Sequence, residues 1–212
     1  RETRPLDQEL LRARRIFITG HVDEAMAKVV VQQLLHLEAQ DPDAPVTIFI
    51  NSGGGKVRGG LAILDAMGQV SMPLETVAYG RCCSIAALLL AAGTPGLRLA
   101  YPSAKLMVHE PSAPCRAVPF SDAMVRAEAQ LLTRRTIEEI LSAQTGQSLA
   151  EIGAAARRDR YMTAAEAKEF GLIDGVVAAA LPVPAPPPPG RADSELGLAD
   201  GDARTAPSVP SL

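Results

Sequence analysis

Tryptophan is missing from this 212-residue chain, and aromatic residues make up only 3% of it. Leu, Val, Ile and Ala must therefore fill any core, and an aromatic platform for stacking nucleic-acid bases is not to be expected. Lys and Arg nowhere form a dense block and the net charge is -3, so the basic face that phosphate backbones require is lacking. The three cysteines, Cys82, Cys83 and Cys115, contain no CxxC pair. An odd set with two sequence neighbours points to a reducing compartment rather than to a disulfide framework. Long apolar runs are absent too: the longest, Ile85 to Ala92, has eight residues, whereas a membrane helix needs about 20. The opening RETRPLDQELLRARR is charged throughout and lacks the apolar region of a secretory signal. A soluble, cytoplasmic protein with neither nucleic acid nor membrane as partner is the expectation.

What is present is 47% hydrophobic side chains, enough for one domain with a proper core. Arg15 to Thr19 reads as a strand, and a helix from Asp23 to Ala39 carries Met26, Val29, Val30, Leu34 and Leu37 on one face. Val46 to Ile50 is a buried strand, Asn51 to Gly55 a turn, and Val57 to Gly68 a helix. The unit then repeats, with a strand from Leu74, a turn from Gly80 to Cys83 and an apolar helix from Ser84 to Ala92. Such alternation predicts a largely parallel sheet of the α/β class. Strands follow at Leu97–Ala100 and Lys105–His109, then a long helix over Phe120–Thr145 ended by Gly146. Ser148 to Glu151 and Thr163 to Glu166 have capping-box spacing, and a last short strand follows Gly171. Residues 1–180 make the domain. From 181 to 212 the composition turns to proline and small polar residues, which predicts a tail without a fold of its own.

Several residues have the chemistry of a site. Ser84 opens the apolar helix, where free amides and the helix dipole favour an oxyanion, although a plain N-cap serine is the bland alternative. The glycines at 53, 54 and 55 permit close approach of the main chain, but neither GxxxxGK[ST] nor GxGxxG is present. Among three histidines, His21 and His36 are read as structural, whereas His109 ends a strand where loops gather. Asp159 lies in the charge cluster Arg157-Arg158-Asp159-Arg160, with Asp122 and Asp174 as rival carboxylates that have structural duties of their own. The order Ser, His, Asp matches neither the α/β-hydrolases, nor the chymotrypsin type, nor the subtilisin type, and GxSxG is absent.

The motifs in order, namely IFINSGGG, GRCCSIAA (Gly80 to Ala87), LMVHEP (Leu106 to Pro111), TGQSLAEI and RRDRYMTAAEAKEFGLIDGVV, resemble the proteolytic subunit of Clp protease from about Leu10 to Val177. The resemblance implies the ClpP/crotonase-like fold, an α/β class of repeated β-β-α units with a protruding long helix, the handle. It implies Ser84 as nucleophile, His109 as general base and Asp159 as the carboxylate that orients it, with the Gly55 and Ile85 amides as oxyanion hole. It implies no metal and no cofactor at the site, ATP being spent by an AAA+ unfoldase ATPase that delivers unfolded polypeptide. Two stacked seven-membered rings are implied, with Phe49, Val77, Tyr79, Tyr101 and Val177 at the pocket for the ATPase. This chain departs from the family pattern at Gly53 in place of proline, at Thr47 and Gln69 in place of aromatic rings, in a short N-terminal segment that makes pore gating of the usual kind unexpected, and at Pro114 and Pro119 in a stretch that otherwise pairs with substrate. Weak ring-to-ring locking or altered substrate preference is expected from these prolines. Three other readings stay open: an impaired subunit in a mixed ring with an active paralogue, a crotonase-like acyl-CoA enzyme that needs neither Ser84 nor a His/Asp relay, and Cys83 as nucleophile.

Overall fold

The computed structural model describes residues 6–112 and 118–178. Cys115, Pro114 and the expected tail lie outside the described residues. The elements run α1 (Leu6–Arg12), β1 (Arg15–Val22), α2 (Glu24–Gln40), β2 (Val46–Gly55), α3 (Val57–Gln69), β3 (Leu74–Cys83) and α4 (Ile85–Ala91). They continue as β4 (Arg98–Ala100), β5 (Lys105–Val108), α5 (Phe120–Thr145), α6 (Leu149–Ala156), β6 (Arg160–Met162), α7 (Ala164–Glu169) and β7 (Gly175–Val176). The mixed α/β class expected from the alternation of strands and helices is the class observed.

The sheet runs β1-β2-β3-β4-β7 with parallel neighbours, and it forks at β3. The first half of β3, Thr76 to Ala78, pairs with β4, whereas its last residues, Arg81 to Cys83, pair with β5, which in turn pairs antiparallel with β6. The fork corrects two expectations. Asn51–Gly55 and Gly80–Cys83, read as turns, are strand. Gly54 and Gly55 pair with His21 and Val22, while Cys82 and Cys83 pair with Leu106 and Met107. Glycine bends the strands without ending them: Gly20 and Gly80 have φ of 89° and 66°, and the ladders of β1 with β2 and of β2 with β3 shift register beside them. Each of these strands therefore serves as two, which is how a β-β-α repeat arises from one strand and one helix.

Ile16, Ile18, Ile48 and Ile50 alternate into the core beneath α2 and α4, with Thr76 and Ala78 beside them on the same face. On α2 the buried face is Ala27, Val30, Leu34 and Leu37, and Val29 is half exposed. Val29, expected on that face, is turned toward solvent, and packing selects the smaller Ala27. α4 is buried at all seven positions. α5, by contrast, buries only Ile137 and Leu141. Its end is set by Gly146 in the left-handed conformation, and both expected capping boxes form, Ser148 with Glu151 and Thr163 with Glu166. Pro119 occupies the N-cap position of α5. Among the described residues no helix is long and apolar enough to cross a membrane.

Candidate active site

Ser84 joins β3 to α4. Its φ is 58°, one of two non-glycine residues with positive φ among the described residues. Its amide donates to the carbonyl of Met107 at 2.8 Å, which ties the serine to β5. Although Ser84 stands at the N-cap position, its hydroxyl makes no capping bond. It lies instead 2.9 Å from Nε2 of His109. A serine held in a disfavoured backbone conformation, with its hydroxyl turned away from the cap, is not an ordinary helix start.

The strand register explains how three distant residues meet. Parallel pairing sets Cys83 against Met107, so Ser84 and Val108 are the next residues along. Antiparallel pairing sets Val108 against Arg160, so His109 and Asp159 are neighbours one step beyond the ladder. Nδ1 of His109 is 3.0 Å from Oδ1 of Asp159. An ionised carboxylate only accepts, so Nδ1 carries the proton and Nε2 of the neutral ring accepts from the Ser84 hydroxyl. The His109 side chain is 27% exposed and that of Asp159 is 55% exposed, so the carboxylate end of the line faces solvent. Just past His109, the Glu110 amide donates to Ala156 at the end of α6 at 2.7 Å, and Arg134 of α5 pairs with the Glu110 carboxylate at 3.0 Å. Arg160 sits over the Phe170 ring, 4.6 Å from its centre, which ties β6 to α7.

Gly54, with φ of 94°, lies so close to Ser84 that a Cβ there would stand 2.7 Å from the serine Cβ and 2.8 Å from the Cys83 carbonyl. Gly55 presses still more closely on the Val22 backbone. Ile85 is buried against Gly60 of α3. His21 and His36 are exposed, so neither belongs to the core. Asp174 forms an ion pair with buried Arg98, and Asp122 lies in the first turn of α5. Burial pushes the Cys83 thiol upward against the opposing pull of Arg81, and burial raises Cys82 well above its ordinary value, which disfavours a thiolate at either. Among the described residues no His, Cys, Asp or Glu cluster is suited to a metal ion.

Sequence reasoning missed Ser52. It is fully buried, its hydroxyl donates to Gly20 and accepts the Gly54 amide at 3.0 Å, and so it pins the glycine segment beside Ser84. The signal was available in strand alternation, since a polar residue at an inward position must have a partner. Also missed was a small apolar cavity of 20 Å³ opening on Ser84 and His109, walled by Val57, Ile85, Leu88, Val108, Ile137 and Leu141.

The sheet face opposite the helices carries the five residues expected at a docking pocket. Phe17, Phe49 and Val77 are aligned across the strands, the two phenylalanine rings stack at 5.2 Å, and Tyr79 meets Phe49 edge-on at 6.4 Å. Tyr101 is partly exposed, and the Val177 amide donates to Ala100 at 2.9 Å. Val77 itself is buried.

Fold and site together define an α/β protein in which a forked parallel sheet lines up a serine, an imidazole and a carboxylate. The family model for Clp protease matches residues 2–180, and the chain belongs to that family of peptidases.

Proposed function

We propose that the chain is a serine endopeptidase, the proteolytic subunit of an ATP-dependent Clp protease. His109 takes the Ser84 proton as the hydroxyl attacks a peptide carbonyl, and Asp159 holds the imidazole in the required tautomer and stabilises its charge. The amides of Gly55 and Ile85 receive the oxyanion. His109 then protonates the leaving amine, and water, activated by the same ring, hydrolyses the ester. This chemistry calls for no metal or other cofactor. The observation that carries the reading is the unbroken hydrogen-bonded line from Ser84 through His109 to Asp159, with the hydroxyl released from capping duty.

In the same reading an AAA+ unfoldase spends ATP and feeds unfolded polypeptide to two stacked seven-membered rings in the cytoplasm. It docks on the face formed by Phe49, Val77, Tyr79, Tyr101 and Val177. The exposed first half of α5, with Phe120, Met124, Val125, Leu131 and Leu132 open to solvent, is the handle covered by another copy or by a paralogue. Residues 1–180 are the peptidase domain and 181–212 an appended tail.

Fluorophosphonate labelling with peptide mapping tests the chemistry. The label is expected on Ser84, and Ser84→Ala is expected to lower turnover by about 10⁴ to 10⁶. Equal peptide cleavage by wild type and Ser84→Ala overturns the mechanism. Native mass spectrometry of the full chain, alone and with a paralogue, tests the ring.

A further inference from the structure

Between Thr19 and His21 the strands β1 and β2 fall out of step. Thr19 pairs with Asn51 and His21 with Gly54, so Gly20 on β1 faces both Ser52 and Gly53 on β2. A bulge of this kind disrupts the ladder locally and leaves backbone groups to find other partners. The Ser52 hydroxyl takes that place, donating to the Gly20 carbonyl and accepting the Gly54 amide at 3.0 Å. Both Ser52 and Gly54 are buried, so bulk water does not reach the amide to replace that acceptor.

The directions of the amides connect this splice to the chemistry. Alternate residues of a strand turn their N–H groups to the same side. Lys56 donates to the Val22 carbonyl of β1 at 2.7 Å, and Gly54, paired with His21, is turned to the β1 side as well. Gly55 between them is turned toward β3, the strand that ends in Cys83 and passes directly into Ser84. The distance of the Gly55 amide from the serine hydroxyl therefore depends on how firmly Gly54 is held. Three glycines in succession have little stiffness of their own. A side chain must supply it, and the Ser52 hydroxyl is bonded to the middle glycine of the three.

We infer that Ser52 is a positioning residue for the oxyanion donor: by occupying the Gly54 amide across the bulge, its hydroxyl sets the Gly55 amide where charge develops in the transition state. The inference rests on the serine peptidase reading above for the identity of the attacking group. It adds a residue that touches neither substrate nor triad, and it places the effect of that residue on turnover and not on substrate binding.

The test measures kcat and KM separately on an amino-blocked fluorogenic peptide. Ser52→Ala is expected to lower kcat by about 10²-fold with KM within about threefold of wild type, the split of an interaction made only in the transition state. Ser52→Cys fills the space with a weaker hydrogen-bonding group, is expected to shift kcat the same way, and carries the test if Ser52→Ala does not fold. Thermal unfolding identifies the folded variants. A peptide aldehyde gives a second readout, because addition of the Ser84 hydroxyl to its carbonyl places an oxygen in the hole while the peptide part binds as substrate does. Its inhibition constant is expected to rise by about the factor by which kcat/KM falls. An unchanged kcat in variants that melt like wild type, or a loss confined to KM, overturns the inference while Ser84 of wild type still takes a fluorophosphonate label. Wild type that takes no label there overturns the serine reading instead.

Discussion

α4 and α5 meet beside Ser84, yet they are held in place by opposite means. α4 has seven residues, all buried, far below the roughly 12 to 15 at which an isolated helix becomes marginal in water. It exists because the sheet and α3 enclose it, with Gly60 giving way to Ile85. α5 has 26 residues and buries two. It relies on local devices: the left-handed Gly146 at its end and the pairs Arg134–Glu138 and Arg135–Glu139 at 2.7 and 2.8 Å. The core thus fixes the serine, while the facing wall of its cavity belongs to a helix that the core scarcely touches. A helix with this much apolar surface open in one chain supports the proposed assembly, in which another copy covers it.

Substitutions can break or sharpen this contrast. The largest effect is expected from Leu89→Ala in α4, about 3 to 5 kcal/mol of global stability in urea unfolding, because the surrounding core cannot collapse into the space. A loss below about 1 kcal/mol would mean that α4 is looser than its burial implies. Arg98→Ala follows, at about 3 kcal/mol, since Arg98 bridges the Ala91 carbonyl at the end of α4, the Gln144 carbonyl at the end of α5, and Asp174. This loss is pH-dependent in a defined sense. Hydrogen bonding to Arg98 holds the Asp174 carboxyl below its ordinary value. Its folded pKa being depressed, the stabilisation is complete above the unfolded range near about pH 4 and disappears as pH falls through the folded value. The gap between wild type and Arg98→Ala should therefore narrow below about pH 4 in denaturation curves. Smallest in the single chain is Leu131→Ser on the exposed stretch of α5, within about 0.5 kcal/mol. The same change is expected to lower the assembled mass in native mass spectrometry, and an unchanged assembly would detach α5 from the proposed contact.

Legibility in the sequence followed the range of the interactions. The span of α5, its glycine stop and both capping boxes depend on residues within a few positions of one another, and they could be read directly. The bent strands could not. Gly53 to Gly55 and Gly80 to Cys83 carry turn composition, and only pairing with β1 and β5 makes them strand. Val29 illustrates a different limit, since apolarity alone does not say which of two adjacent helix positions the sheet covers. At the site, motif resemblance singled out Ser84, His109 and Asp159, although a cap, a strand end and a solvated charge were adequate local readings of each. The register through Val108 that makes them neighbours is a property of two ladders at once. Ile137 and Leu141 gave no sign of their roles because two apolar positions on a helix look like routine structure, whereas Ser52 carried a signal in strand alternation that the turn composition of its segment concealed.

The backbone at Ser84 has a consequence for how this chain can change. At φ of 58° a glycine would sit more comfortably than any residue with a Cβ, and relief of such a conformation is worth about 1 kcal/mol or more. Selection for thermal robustness alone would thus favour erasing the hydroxyl. On the proposed mechanism, Ser84→Gly is a mutation that relaxes the backbone and removes the nucleophile, so a screen that scores only resistance to heat would drive this molecule toward an inert shell.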